Sequence, residues 1–138
     1  MATHHVEIRL RTAAREVAID ITDRVREAVR ASGIRDGLCL VSSRHTTAGI
    51  FMNENADPDV QRDLLAQLSR VVPDRGDFRH AEGNSPAHVK AVLVGSDVTL
   101  GVRQGDVSLG RWQGVYFLEL DGPRSRIATV TVSGDRAD

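Results

Sequence analysis

Beyond Gly95 the sequence turns to β, and this stretch constrains the fold more than any other. Residues 98–102, 107–109, 112–120 and 126–132 are rich in Val, Leu, Thr and aromatic side chains. Gly- and Asp-bearing turns separate them, which is the pattern of short successive strands. The N-terminal part adds more of the same. Residues 5–11 alternate strictly between polar and apolar and predict a half-buried strand. Residues 16–21 predict a second, and the short link between the two predicts a hairpin. Residues 37–43 are a continuous apolar run bounded by turn residues, hence a central strand in which Cys39 is a small buried hydrophobe.

Helical signals are confined to three places. Thr22 or Asp20 can cap a helix through Ser32, with Ile21, Val25, Ala28 and Val29 at helical spacing and Gly33 as its stop. Asp57-Pro58 is a cap-plus-proline start, after which Val60, Leu64, Leu65, Leu68 and Val72 line one face before Pro73. Ser85 is a good N-cap, Pro86 suits the first helical position, and no breaker follows until Gly95. Strand runs broken by grouped helices do not fit a βαβ alternation. The expected fold is α+β, one domain over residues 1–138. It is a mostly antiparallel two-layer β-sandwich with two longer helices and one short helix outside. The tail from Ser133 to Asp138 is expected to fray.

Composition bears on function mainly by exclusion. A net charge of −1 gives no global field toward nucleic acid or membrane. No apolar run is long enough to span a bilayer and the start of the chain is polar, so a cytoplasmic location is the expectation. Cys39 is the lone cysteine, which excludes an internal disulfide and a Cys-based metal site. Lys90 is the only lysine among the 18 basic residues, and it falls in the densest polar cluster of the chain.

That cluster is His80-Ala81-Glu82-Gly83-Asn84-Ser85-Pro86-Ala87-His88-Val89-Lys90. It gathers imidazoles, a carboxylate and an ammonium near a helix start, where unpaired N–H groups favour anions. An ordinary capped helix with a wet polar side would read the same way. His45-Thr46-Thr47 follows the predicted central strand, interrupting what would otherwise be a long core run. His45, His80 and His88 together are the side-chain set of a three-histidine metal site with an open position. They equally suit neutral, hydrogen-bonded histidines acting as acid–base groups or phosphate donors. Asn53, Glu54 and Asn55 offer further polar groups, Glu54 foremost, or simply form the loop before Asp57.

The last cluster runs from Leu109-Gly110-Arg111-Trp112-Gln113 to Asp121-Gly122-Pro123-Arg124. Alternation from Trp112 puts Gln113, Val115, Phe117, Glu119 and Asp121 on one face. Glu119 among apolar neighbours then needs a partner or a cavity, because an isolated buried carboxylate is costly. Arg124 can reach back to it, hold a phosphate bidentately, or merely form a surface ion pair.

Taken together, these motifs resemble the YjbQ family, also described as secondary thiamine-phosphate synthase. The resemblance rests on His45-Thr46-Thr47-Ala48-Gly49-Ile50, Asn53-Glu54-Asn55, Asp57-Pro58, the stretch from His80 to Lys90, Leu109-Gly110-Arg111-Trp112-Gln113 and Asp121-Gly122-Pro123-Arg124. They occur in the family's order and cover essentially the whole chain. The resemblance implies a YjbQ-like α+β sandwich assembled as a homotrimer, with pockets near subunit boundaries. It also implies a weak or side activity, joining a hydroxymethylpyrimidine diphosphate to a thiazole phosphate with release of pyrophosphate.

On that reading His45, His80, His88, Glu54 and Glu82 are the expected catalytic set, and Asn84, Ser85, Lys90 and Arg124 bind phosphate. A divalent ion, zinc or magnesium, would sit on the three histidines, and no organic cofactor is expected. The backbone N–H groups of Ala87 and His88 would join the phosphate site. A non-catalytic protein binding a metal or a phosphorylated metabolite is the first alternative. An assembly protein whose polar cluster fixes a trimer interface is the second.

Overall fold

A computed structural model describes residues 1–136. In chain order its elements are β1 (Ala2–Arg11), β2 (Val17–Asp20), α1 (Thr22–Ser32), β3 (Ile34–Ser43) and β4 (Ala48–Glu54). These are followed by α2 (Pro58–Val71), α3 (Ser85–Val94), β5 (Asp97–Arg103), β6 (Asp106–Ser108), β7 (Gln113–Glu119) and β8 (Ser125–Arg136). The strands form a five-stranded sheet in the order β1-β8-β3-β5-β6 and a three-stranded sheet in the order β2-β7-β4. Every pairing is antiparallel. The fold is the expected α+β arrangement of two antiparallel sheets with three helices.

The core lies between the sheets. Ile8, Cys39, Val41, Leu100, Val102, Ala128, Val130 and Val132 face inward from the larger sheet, and Ile50, Val115 and Phe117 meet them from the smaller. Val25, Ala28 and Val29 of α1 complete the cluster. That helix spans the expected residues, with Ile21 rather than Asp20 or Thr22 at the cap position. Asp20 accepts hydrogen bonds from both the amide and the hydroxyl of Thr22, and Gly33 ends the helix in the left-handed conformation with φ 71°. Burial holds the Cys39 thiol up at about 11, so it behaves as the expected small hydrophobe.

Strand β7 is covered on both sides. Val115 and Phe117 point into the main core, while Leu118 and Leu120 pack with Ala87 and Ala91 of α3 in a second cluster. Helices α2 and α3 therefore lie on the outer face of the smaller sheet. The start of α2 is as expected, with Asp57 accepting from the Asp59 amide at 2.9 Å and Pro58 in the first turn.

Four expectations are corrected. The predicted hairpin between the first two strands does not exist: β1 pairs with β8 in one sheet and β2 with β7 in the other. The link between them crosses from sheet to sheet. Strand β3 is central, between β8 and β5, but only one of its faces is covered, so Leu38 and Leu40 stand exposed on the other. The cap of α3 is Asn84, one residue earlier than predicted, and Ser85 is already helical. Residues 133–136 do not fray; they continue β8, where Ser133 and Gly134 pair with both β1 and β3. Residues 137 and 138 of the same tail lie outside the described residues.

Candidate functional site

The chain between β3 and β4 turns sharply at Arg44-His45-Thr46-Thr47, and five contacts fix that turn. The His45 amide donates to Ser43 Oγ at 3.1 Å, and the Arg44 amide donates to the Ile127 carbonyl at 3.2 Å. The Ile127 amide donates to His45 Nε2 at 2.8 Å. The Arg126 guanidinium donates to both the hydroxyl and the carbonyl of Thr47, at 2.9 and 3.2 Å. Since an amide can only donate, Nε2 of His45 must present a lone pair, which leaves Nδ1 to carry the ring's proton. Burial, then the Arg126 charge, lower the His45 pKa from its ordinary value, outweighing the pull of Glu119, so the ring is neutral at pH 7.

Beneath the turn lies a buried ion pair. Glu119 is fully buried at the end of β7, and its partner is Arg126 on β8 rather than Arg124. Thr12 donates to the same carboxylate at 2.6 Å, and the amides of Leu120 and Asp121 donate at 3.0 and 3.1 Å. Burial works to raise the Glu119 carboxyl, but the hydrogen bonds from Arg126, Thr12 and the Asp121 backbone win and hold it below the usual range. The carboxylate that looked awkward in the sequence is thus fully satisfied, and it anchors the turn that carries His45.

The second wall comes from α3. Its C-terminal end lies against β4 because Gly49 has no side chain: a Cβ there would come within 2.8 Å of the Gly95 carbonyl oxygen and 3.1 Å of Val94. The Ile50 amide donates to that carbonyl at 3.1 Å. Between the turn and the helix opens a cavity of about 840 Å³. Its polar lining is Ser43, Arg44, His45, Thr46, His88 and Ser96, and its apolar lining is Ala48, Ala91, Val92 and Gly95. No carboxylate among the described residues contributes to it.

His45 and His88 share this cavity. His80 stands on the far side of His88, the two rings edge to face with centroids 5.3 Å apart. With Phe78, Ser85 and Val89, His80 and His88 line a smaller adjoining hollow. Glu82 is exposed, its carboxylate 3.7 Å from His80 Nε2. Glu54 ends β4, about 20 Å along the strand from the residues that border the cavity. Its carbonyl is engaged by Gln61 and Tyr116.

The remaining expected phosphate groups have other partners. Lys90 is 2% exposed, and its ammonium donates to Glu16 at 2.7 Å and Ser69 at 3.2 Å, bracing α3 against α2 and the link after β1. Asn84 Nδ2 donates to Asp121 at 2.8 Å, and its side-chain oxygen Oδ1 is buried without a partner among the described residues. Arg124 donates to the Asp121 carboxylate at 3.0 Å and to its carbonyl at 2.9 Å. The Ala87 and His88 amides donate to the Asn84 carbonyl within the first turn, so they are not free to meet an anion. From α3 it is His88, Ala91 and Val92, rather than Asn84, Ser85 or Lys90, that line the cavity.

Within one chain His45 lines the larger cavity with His88, while His80 meets only His88 of the two. His45 Nε2 is engaged by the Ile127 amide. Among the described residues no group of three or more His, Cys, Asp or Glu side chains is placed to hold a metal ion. Residues that the sequence reading passed over are Arg44, Ser43 and Ser96, plain polar residues whose importance comes only from the turn and helix meeting. No helix among the described residues is long and apolar enough to cross a membrane.

Residues 6–135 match the family described as UPF0047 protein YjbQ-like. The chain is 44% identical over 127 residues to UPF0047 protein MJ1081 of Methanocaldococcus jannaschii, covering 92% of each. It is 43% identical to UPF0047 protein YugU of Bacillus subtilis, covering 92% of this chain and 97% of that one. A crystal structure of an uncharacterised YjbQ/UPF0047 family protein from Clostridium acetobutylicum superimposes with a TM-score of 0.91 at 50% identity, covering 93% of this chain and 99% of that one. A YbjQ-like protein of unknown function from Sulfolobus solfataricus gives 0.94 at 32% identity, covering 97% and 99%. With sequence and fold both matched along nearly the whole chain, this protein belongs to the YjbQ/UPF0047 family.

Proposed function

We propose that the His45–His88 cavity binds phosphorylated small molecules and supports the reaction to which the family resemblance points. In that reaction hydroxymethylpyrimidine diphosphate and thiazole phosphate give thiamine phosphate and pyrophosphate. The observation that carries the reading is the lining: a guanidinium, two imidazoles and three hydroxyls with no carboxylate among the described residues, beside an apolar wall. The volume of about 840 Å³ lies within the range of small-molecule sites.

The chemistry divides between the two walls. The pyrimidine methylene becomes cationic as its C–O bond to diphosphate breaks, and the thiazole nitrogen then forms the new C–N bond. Stabilising the departing anion is therefore the main demand. Arg44 supplies a fixed positive charge and a two-pronged set of donors. Ser43, Thr46 and Ser96 add hydroxyl donors, and His45 and His88 add ring N–H groups. Ala48, Ala91 and Val92 give the heterocycle a dry surface.

Assembly as a homotrimer belongs to the same proposal. Helix α3 is apolar almost all round, yet Val92 is 82% and Leu93 58% exposed. Such a helix calls for cover, and a second copy of the chain would also close the cavity beside Val92.

Pyrophosphate release from the two named substrates tests the reading. Wild type should turn over, and Arg44→Gln should lower kcat/KM about 100-fold, the scale of losing one charge-stabilising donor. Saturable binding without turnover would favour a non-catalytic binder of phosphorylated metabolites. Absence of both binding and turnover would overturn the proposal.

A further inference from the structure

His45 borders two hollows. Besides the larger cavity, a second one of about 380 Å³ is lined by Arg9, Arg11, Ser125, Arg126 and His45, again without a carboxylate among the described residues. Two of its three guanidiniums are neutralised: Arg9 by Glu7 at 3.1 Å and Arg126 by the buried Glu119. Arg11 is not. Its only side-chain partner among the described residues is the Ser125 hydroxyl, at 3.2 Å, opposite it in the β1–β8 register. The larger cavity has the same arithmetic, with Arg44 its one cation lacking a carboxylate partner among the described residues. Each of the two hollows that His45 borders thus holds one guanidinium without a carboxylate partner among the described residues, in a chain of net charge −1.

We infer that His45 divides two anion subsites, one centred on Arg44 and one on Arg11, which take the phosphoryl groups of two different substrates. The inference rests on the reading above and goes beyond it by naming where the second anion sits. A reaction that joins a diphosphate to a monophosphate must hold two anions at once and keep their charges apart. Two pockets with separate guanidiniums and a neutral imidazole bordering both meet that demand. The volume of about 380 Å³ matches the smaller, monophosphate partner. Arg11 donates bidentately where Lys would not, which suits a phosphoryl group.

Calorimetric titration with inorganic pyrophosphate at low ionic strength tests this on the full chain. Wild type should bind two equivalents per chain. Arg11→Gln, at an exposed position, should bind one, with the affinity of the remaining site changed less than twofold. Arg44→Gln should lose the other equivalent, and the double variant should bind at least 100-fold more weakly. A single wild-type equivalent that Arg44→Gln abolishes and Arg11→Gln leaves alone would overturn this inference while sparing the larger cavity. A titration that neither change alters would overturn both readings.

Discussion

The Ile127 amide donates to Nε2 of His45 across 2.8 Å, a bond that only an unprotonated nitrogen can accept. Together with burial, it makes His45 harder to protonate in the folded chain than in the unfolded one. A lowered histidine pKa leaves stability at its full value above about pH 6.5, the unfolded value. Stability then falls as pH drops below that, because the unfolded state takes up the proton first. Urea unfolding at pH 7.5 and 5.5 should show lower stability at 5.5, and the difference should shrink in His45→Asn. Glu119 does not confuse this window, since its lowered pKa keeps its contribution full above the usual carboxylate value and loses it only as pH falls from there.

Breaking the pair beneath the turn should be costly. Arg126→Met leaves the Glu119 carboxylate buried and unpaired, which costs about 3–5 kcal/mol. Glu119→Leu combined with Arg126→Met should cost clearly less than the two single changes added together, because neither charge is then stranded. Denaturant unfolding of the three variants measures this directly. Additive losses would mean that the two residues do not act as a pair.

Lys90 is expected to behave as a brace. Lys90→Met strands Glu16 only partly, because Glu16 reaches solvent, yet it removes the ammonium that joins α3 to α2. A stability loss of about 2–4 kcal/mol should appear, with pyrophosphate affinity per folded molecule nearly unchanged. A large loss of affinity at full stability would restore Lys90 to the binding site.

Gly49 sets how closely α3 approaches β4. Gly49→Ala forces a methyl toward the Gly95 carbonyl, so the helix must move or strain. The expected cost is about 1–3 kcal/mol, accompanied by weaker pyrophosphate binding because one cavity wall is displaced. Thermal melts and titration of the same variant check both halves.

Much of this architecture is legible in the sequence because local rules decide it. The Gly33 end of α1, the Asp57-Pro58 start of α2 and the alternation through β7 are written in neighbouring residues. What is hidden depends on long-range partners. Nothing near β1 says that its successor joins another sheet. Arg124 and Arg126 both follow the turn after Glu119, and only the β8 register decides that the second faces inward. Lys90 reads as a polar residue on a wet face, yet Glu16 and Ser69, far off in the chain, allow it to be buried. His45 and His88 were recognisable as candidates, whereas Arg44 gains its place only when α3 closes over the turn.

The central claim is that the cavity between the His45 turn and α3 receives the phosphoryl group. A crystal structure of the protein grown with pyrophosphate tests it most directly. The account predicts the ion against Arg44, within hydrogen-bond distance of the hydroxyls and imidazoles around it. Pyrophosphate bound instead at Asn84 and Ser85 at the start of α3, with the cavity holding only solvent, would contradict it.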